Sequence, residues 1–237
     1  MGDEKCNGRH VVVGIPAYDS KILITAAVSL LGLGVVSRNY GFRVSAISIP
    51  GNAIIEQARN DLVEKFLHIH DGTDFMMLDA DISFVPEDVA KLLMLTAKYD
   101  IACGAYPMKR EGEPYRITFE ENEDGNIVMM DDRYPSVERI GTGFMMVRRH
   151  VFSAMMPFTP NYYNKKENRR KPLFFEAGVF DDEYVGEDYR FCDLVKKAGM
   201  NIVLDPSINL GHIGYKEYIG DLPGKLASLT QGVEGGN

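Results

Sequence analysis

Two carboxylates separated by one residue, Asp79-Ala80-Asp81, stand directly after the apolar run Phe75-Met76-Met77-Leu78, and they form the only D-x-D in the 237 residues. Carboxylates this close repel each other unless a cation sits between or beside them. Mg2+ and Mn2+ take oxygen ligands and commonly bridge a carboxylate to substrate phosphates. A solvated turn, with Asp81 or Ser83 capping a neighbour, would use the same residue types, but the buried run leading into the pair favours a metal. A further ligand is offered by His212 in Leu210-Gly211-His212-Ile213-Gly214. Imidazole is acceptable to Mn2+, and the flanking glycines let backbone and ring approach a ligand closely.

A second acidic pair, Glu187-Asp188, follows Gly186 where a helix is expected to begin. Acidic residues favour a first helical turn on electrostatic grounds alone. One carboxylate also raises the pKa of the other, which is what a general base that takes an acceptor's proton requires. Arg59 lies beside Ala58 at the edge of an apolar helical stripe. It either snorkels to solvent or points across the sheet at a base or diphosphate. The small residues of Gly141-Thr142-Gly143 would let a sugar lie against the backbone.

These residues must be held by a regular scaffold, and the pattern supplies one. Val11–Ile15, Arg43–Ile49, Phe75–Leu78 and Ile101–Ala105 read as strands. Ser20 is placed to cap a first helix and Asn52 a second one, whose stripe is Ile55, Ala58, Leu62, Phe66 and Ile69. Pro86, with Glu87 and Asp88, suits the start of a third. Strand and helix alternate, which implies a mainly parallel central sheet with helices on both faces. Ligands bind such sheets at the carboxyl ends of the strands, where Pro16–Asp19 and Asp79–Asp81 fall. The second half is expected to be smaller and antiparallel. Tyr115–Phe119 and Ile127–Met130 flank the turn Asp124-Gly125-Asn126. Phe144–Val147 and Asn201–Leu204 are strands, and His150–Met155 and Gly186–Ala198 are helices. Pro157–Asp182 is a long, basic, aromatic-rich stretch that reads as an acceptor-side lid.

The length suits a single α/β domain, 1–237, with a first half at about 10–105, a second half at about 106–215 and a tail at 216–237. A net charge of −8 argues against general nucleic-acid binding, which needs a surplus of Lys and Arg. Cys6, Cys103 and Cys192 form neither an even disulfide set nor a CxxC pair, and read as thiols in a reducing, cytoplasmic setting. Met1–Arg9 is polar and lacks the apolar core of a secretory signal. Ile22–Val36 is too short and too diluted by Gly and Ser for a membrane span, and is expected to be a buried helix.

The ordered set Ile15-Pro16-Ala17-Tyr18, Ala58-Arg59-Asn60, Asp79-Ala80-Asp81, Gly141-Thr142-Gly143-Phe144, Gly186-Glu187-Asp188 and Gly211-His212 resembles the GT-A glycosyltransferase superfamily. Its nearest likeness is to family 2 inverting enzymes and small viral glycosyltransferases. The resemblance spans Val11 to about Gly214. It implies a GT-A fold and metal-dependent transfer, with Mn2+ or Mg2+, from a UDP- or GDP-sugar to a hydroxyl of a glycan or glycoconjugate acceptor. Pro16, Ala17 and Tyr18 would border the nucleotide base with Arg59 nearby. Asp79 would touch the ribose or sugar, with Ala80 beside it and Gly143 lining the sugar site. Asp81 and His212 would bind the metal, with Asp79 close to it. Asp188 would be the base, and Glu187 would hold acceptor or donor sugar. The chain has no Trp, so the Q-x-x-R-W motif of processive synthases is absent, which implies single additions. A sugar-phosphate nucleotidyltransferase usually carries a Gly-rich basic loop after the first strand, which Pro16–Lys21 does not have. A non-catalytic nucleotide- or carbohydrate-binding module on the same scaffold is the other alternative.

Overall fold

The computed structural model describes residues 6–231. The start of the polar N-terminal segment and the Gly-rich tail from Gly232 lie outside them. In chain order the first half runs β1 His10–Ala17, α1 Ile24–Tyr40, β2 Arg43–Pro50, α2 Ile55–His68, β3 Asp74–Leu78, β4 Ile82–Ser83, α3 Pro86–Leu95 and β5 Ile101–Cys103. The second half begins with short strands: β6 Ile117–Phe119, β7 Met129–Met130, β8 Tyr134–Pro135 and β9 Val137–Ile140. It continues with β10 Phe144–Arg148, α4 Arg149–Met155, β11 Asn161–Asn164, β12 Arg169–Pro172, β13 Gly178–Phe180 and β14 Glu183–Val185. It ends with α5 Glu187–Lys197, β15 Ile202–Leu204, β16 Gly211–Ile213, β17 Glu217–Ile219 and α6 Leu222–Gln231.

The central sheet has six strands in the order β15-β5-β10-β3-β1-β2. All pairings are parallel except those of β10, which lies antiparallel between β3 and β5. Every residue of β3 is buried, as expected for a strand covered on both faces. One face packs an aromatic cluster in which Phe66 of α2 stacks on Phe75 of β3 at 5.0 Å, and Phe175 stacks on Phe191 of α5 at 4.7 Å. The other face packs Val11, Val13, Met76, Leu78 and Phe144 under α1 and α3. A small sheet, β17-β16-β4, sits beside the carboxyl end of β3. No helix among the described residues is long and apolar enough to cross a membrane.

The α/β order and the mainly parallel sheet agree with the sequence expectation, and α3 starts at Pro86 with Asp88 Oδ2 accepting from Val85 N at 3.3 Å. Several local expectations differ. Ser20 does not cap α1; it sits in a turn with positive φ, and α1 begins after Leu23. Asn52 stands outside α2 and accepts from Ile54 N in a turn of its own. The helix expected to be buried, α1, is half exposed. The Asp124-Gly125 turn closes only an isolated bridge between Glu121 and Ile127. β6 pairs instead with β9, where the buried Val137 and Ile140 extend the aromatic-side core.

The stretch 157–182 is structured rather than open. It holds two hairpins, β11–β12 and β13–β14, and Phe174 and Phe175 are buried in the core. Lys171 Nζ pins the first hairpin to α2, 2.6 Å from Glu64 and 2.5 Å from Glu167. Burying two phenylalanines removes the apolar surface that a mobile lid would have to expose.

Candidate active site

Three carboxylates converge on one buried guanidinium. α2 carries Arg59, and the next residue, Asn60, clamps the chain before β13: its side chain donates to Phe175 O at 2.7 Å and accepts from Phe175 N at 3.1 Å. Because Phe175 stacks on Phe191 of α5, this clamp fixes α2 against α5 and sets Arg59 beside the first turn of α5. Arg59 Nη2 then reaches both oxygens of Asp79, at 3.0 and 3.2 Å, while Nη1 donates to Glu187 at 2.9 Å and also to Asp188 Oδ1. Burial works against the charge on Arg59, but Asp188, Asp79 and Glu187 together hold it protonated more firmly than usual. Asp188 Oδ1 also accepts from Thr142 Oγ1 and, at 3.3 Å, from Thr142 N. Its Oδ2 has no hydrogen-bond partner among the described residues, and Asp188 lines a cleft.

Burial, reinforced by the charge of Asp188, raises the Glu187 carboxyl above its ordinary range. Asp79 is also raised, first by burial and then by Asp188 and Asp81, with Arg59 opposing. Asp79 is held further by backbone: its N–H donates to Gly143 O at 2.9 Å. A Cβ on Gly143 would lie 2.5 Å from Asp79 Oδ2 and 2.8 Å from the Tyr106 hydroxyl, so only glycine fits there. Tyr106 OH accepts from Gly143 N at 3.2 Å, and its ring meets the His212 ring edge-on at 5.1 Å.

Asp81 faces the other way, toward β16. Burial opposes its ionisation, but His212 and Lys109 outweigh that effect and hold its carboxyl down at about 2. His212 Nδ1 lies 2.9 Å from Pro107 O, which fixes the ring with Nε2 3.5 Å from Asp81 Oδ2. Two donors bound side by side to one octahedral cation with ligand distances of about 2.1 Å lie roughly 3 Å apart, so Asp81 and His212 fit such an ion. Among the described residues no three His, Cys, Asp or Glu side chains converge as a metal site. Asp79 does not complete the set, because its carboxylate is turned to Arg59. Lys109 Nζ lies 2.5 Å from Asp81 Oδ2.

Two clefts flank this cluster. One, of about 460 Å³, is lined by Pro16, Asp19, Lys21, Leu23, Ile55, Arg59, Asp79, Ala80, Asp81, Ile213 and Gly214. The other, of about 340 Å³, is lined by Tyr106, Lys109, Arg116, Gly141, Glu187, Asp188, Tyr189 and His212 among others. The structure therefore groups Arg59, Asp79, Gly143, Glu187 and Asp188, and separately Asp81 with His212. Ala17 and Tyr18 do not line either cleft, and Tyr18 is exposed. Sequence reasoning missed Tyr106 and Lys109, and the hold of the Thr142 hydroxyl on Asp188. Tyr106 and Lys109 follow β5 at the carboxyl edge of the sheet, and that position was the available signal.

No protein-family model matches the chain, and no curated protein sequence does. Among solved structures it is similar to A197 from STIV, with a TM-score of 0.53 and 16% identity over 86% of each chain. The chain has the mixed α/β fold of A197. GalNAc-T7, solved with UDP, GalNAc and Mn2+, gives a TM-score of 0.48 and 12% identity, over 90% of this chain and 45% of that one. S. aureus TarS 1-349 with UDP-GlcNAc gives 0.42 and 11%, over 83% of this chain and 55% of that one. In this α/β fold both acidic clusters lie at the carboxyl edge of the central sheet, where such sheets place their ligands.

Proposed function

We propose that this chain is a metal-dependent, inverting, non-processive glycosyltransferase that moves a sugar from a UDP- or GDP-sugar to a hydroxyl of a glycan or glycoconjugate. The observation that carries this reading is a carboxylate cluster tied together by Arg59 between two clefts, with Asp79 and Asp81 lining one and Glu187 and Asp188 the other. The larger cleft takes the donor, with Pro16 and Ile55 against the nucleotide and Asp79 on the ribose or sugar.

Asp81 and His212 would hold the cation. When bound, Mn2+ or Mg2+ neutralises the charge that develops on the departing diphosphate without needing a proton donor. Asp188 lines the second cleft, where an acceptor hydroxyl would lie, and its Oδ2 is the carboxylate oxygen without a hydrogen-bond partner among the described residues. That oxygen takes the hydroxyl proton as the hydroxyl oxygen attacks the sugar carbon from the face opposite the leaving diphosphate. Arg59 and Thr142 fix Oδ1, so the carboxylate does not have to be ordered during the reaction. Gly143 leaves the room that the Asp79 carboxylate and the Tyr106 hydroxyl need beside the sugar site.

A panel of sugar nucleotides, scanned by thermal shift with and without Mn2+ or Mg2+, tests the donor and metal parts together. A donor present at 100 times its Kd raises stability by about 2.7 kcal/mol, a shift of several degrees. The expected result is a shift with a UDP- or GDP-sugar that disappears on chelation. Equal shifts with chelator would remove the metal from the account, and no shift with any sugar nucleotide would remove the donor.

A further inference from the structure

α1 is apolar almost all the way round, a pattern that belongs to helices covered on every side. In the single chain it is covered on one side only. Ala26, Leu33, Val36 and Ser37 face the core, while Ile24, Val28, Leu31 and Val35 are 76%, 60%, 78% and 53% exposed. At 100° per residue these four fall within an arc of about 60°, directly opposite Leu33. Their spacing of four, three and four residues is that of a heptad seam, over a length of about 16 Å.

Gly34, beside this stripe, supplies a second observation. Glycine inside a helix destabilises it relative to alanine, so it needs a reason. Gly32 has one within the chain, because a Cβ there would lie 2.8 Å from Pro86. Gly34 has none: a Cβ there would meet nothing within 4 Å. Its missing side chain leaves the helix backbone open to close approach from outside the chain.

We propose that α1 is a dimerisation helix, packing against α1 of a second copy of this chain through Ile24, Val28, Leu31 and Val35, with Gly34 allowing the close approach. A self-complementary seam is what a two-fold interface requires. No charged residue lies between Ile24 and Ser37, so two copies of a chain with net charge −8 meet there without opposing charges. The four side chains expose on the order of 500 Å² per copy, so a pair buries about 1,000 Å², the lower bound of a specific interface. A lipid surface fits less well. Anionic bilayers draw in helices rich in Lys and Arg, and α1 carries only Arg38.

Sedimentation velocity on the full chain, from low to high micromolar concentration, tests this, with vesicle flotation alongside. The expected result is a monomer–dimer equilibrium that Leu31→Glu weakens at least about 100-fold, with far-UV circular dichroism unchanged because Leu31 points away from the core. Gly34→Leu, which removes no buried contact, is expected to weaken the dimer as well. A chain that stays monomeric across the range, or a dimer indifferent to both substitutions, would overturn the proposal. So would a monomer that floats with phosphatidylcholine–phosphatidylglycerol vesicles in a Leu31-dependent way, which would assign the stripe to a membrane.

Discussion

The guanidinium of Arg59 on α2 grips both oxygens of Asp79 at the end of β3, at 3.0 and 3.2 Å, and with its other nitrogen holds the two carboxylates that open α5. One buried cation thus ties together three elements that are distant in sequence. Arg59→Met would leave three carboxylates without it. Breaking a buried pair from one side costs about 3–5 kcal/mol, or roughly 10 °C in Tm for a chain of this size. Thermal unfolding at neutral pH should show that loss, and the loss should shrink as acid protonates the carboxylates. A variant as stable as the parent would mean that Arg59 does not hold the cluster.

Glu187 is expected to behave in the opposite way. Burial and the neighbouring Asp188 raise its pKa in the folded chain. A carboxyl that binds its proton more tightly when folded costs stability as pH rises through the interval between its unfolded and folded values. Glu187→Gln should therefore stabilise the chain near neutral pH by about 1 kcal/mol, a gain typical of relieving strain at an active site. The gain should vanish at pH values below about 4, where the unfolded carboxyl is itself protonated. Melting curves of both proteins across pH decide it, and a gain that persists in acid would contradict the charge argument.

Gly143 is crowded by the groups it helps to place. Gly143→Ala would set a methyl 2.5 Å from Asp79 Oδ2, and overpacking of this kind costs about 1–3 kcal/mol. Because Asp79 must move to relieve it, donor affinity should fall together with stability. Calorimetric titration with the best donor checks this, and unchanged affinity would take Gly143 out of the donor site.

What the sequence carried legibly was local. A D-x-D after a buried strand and an acidic pair at a helix start are short patterns, and both fell at the sheet edge as strand–helix alternation requires. The sharing of Arg59 among Asp79, Glu187 and Asp188 was not legible, because it depends on Asn60 clamping Phe175, a contact 115 residues away in sequence. The turn at Asp124-Gly125 was read correctly as a turn, yet β6 found its partner at β9, where Val137 and Ile140 offered more apolar burial. The exposure of α1 was hidden because a helix apolar on all sides gives no sign of which face is covered. Lys171 and the two buried phenylalanines turned an expected lid into a fastened hairpin, since their partners lie on α2, α4 and α5.

That fastening has its own consequence. Lys171 is almost fully buried between Glu64 and Glu167, with Asp61 at 3.5 Å. The β11–β12 hairpin should resist limited proteolysis even without ligand, and Lys171→Met should open it to cleavage near its tip, residues 165–168. Rapid cleavage of the parent chain there, slowed by donor and metal, would restore the lid.

The most direct test of the central claim is the rate of sugar transfer by Asp188→Asn, with donor binding measured on the same protein. The substitution keeps the shape of the side chain and removes the basic oxygen. A base acts in the transition state, so turnover should fall by about 10²–10⁴ while donor affinity stays close to that of the parent. Hydrolysis of the donor to water must be followed separately, because it need not use the same base. An Asp188→Asn chain that transfers sugar to its acceptor at nearly the parental rate would contradict the account.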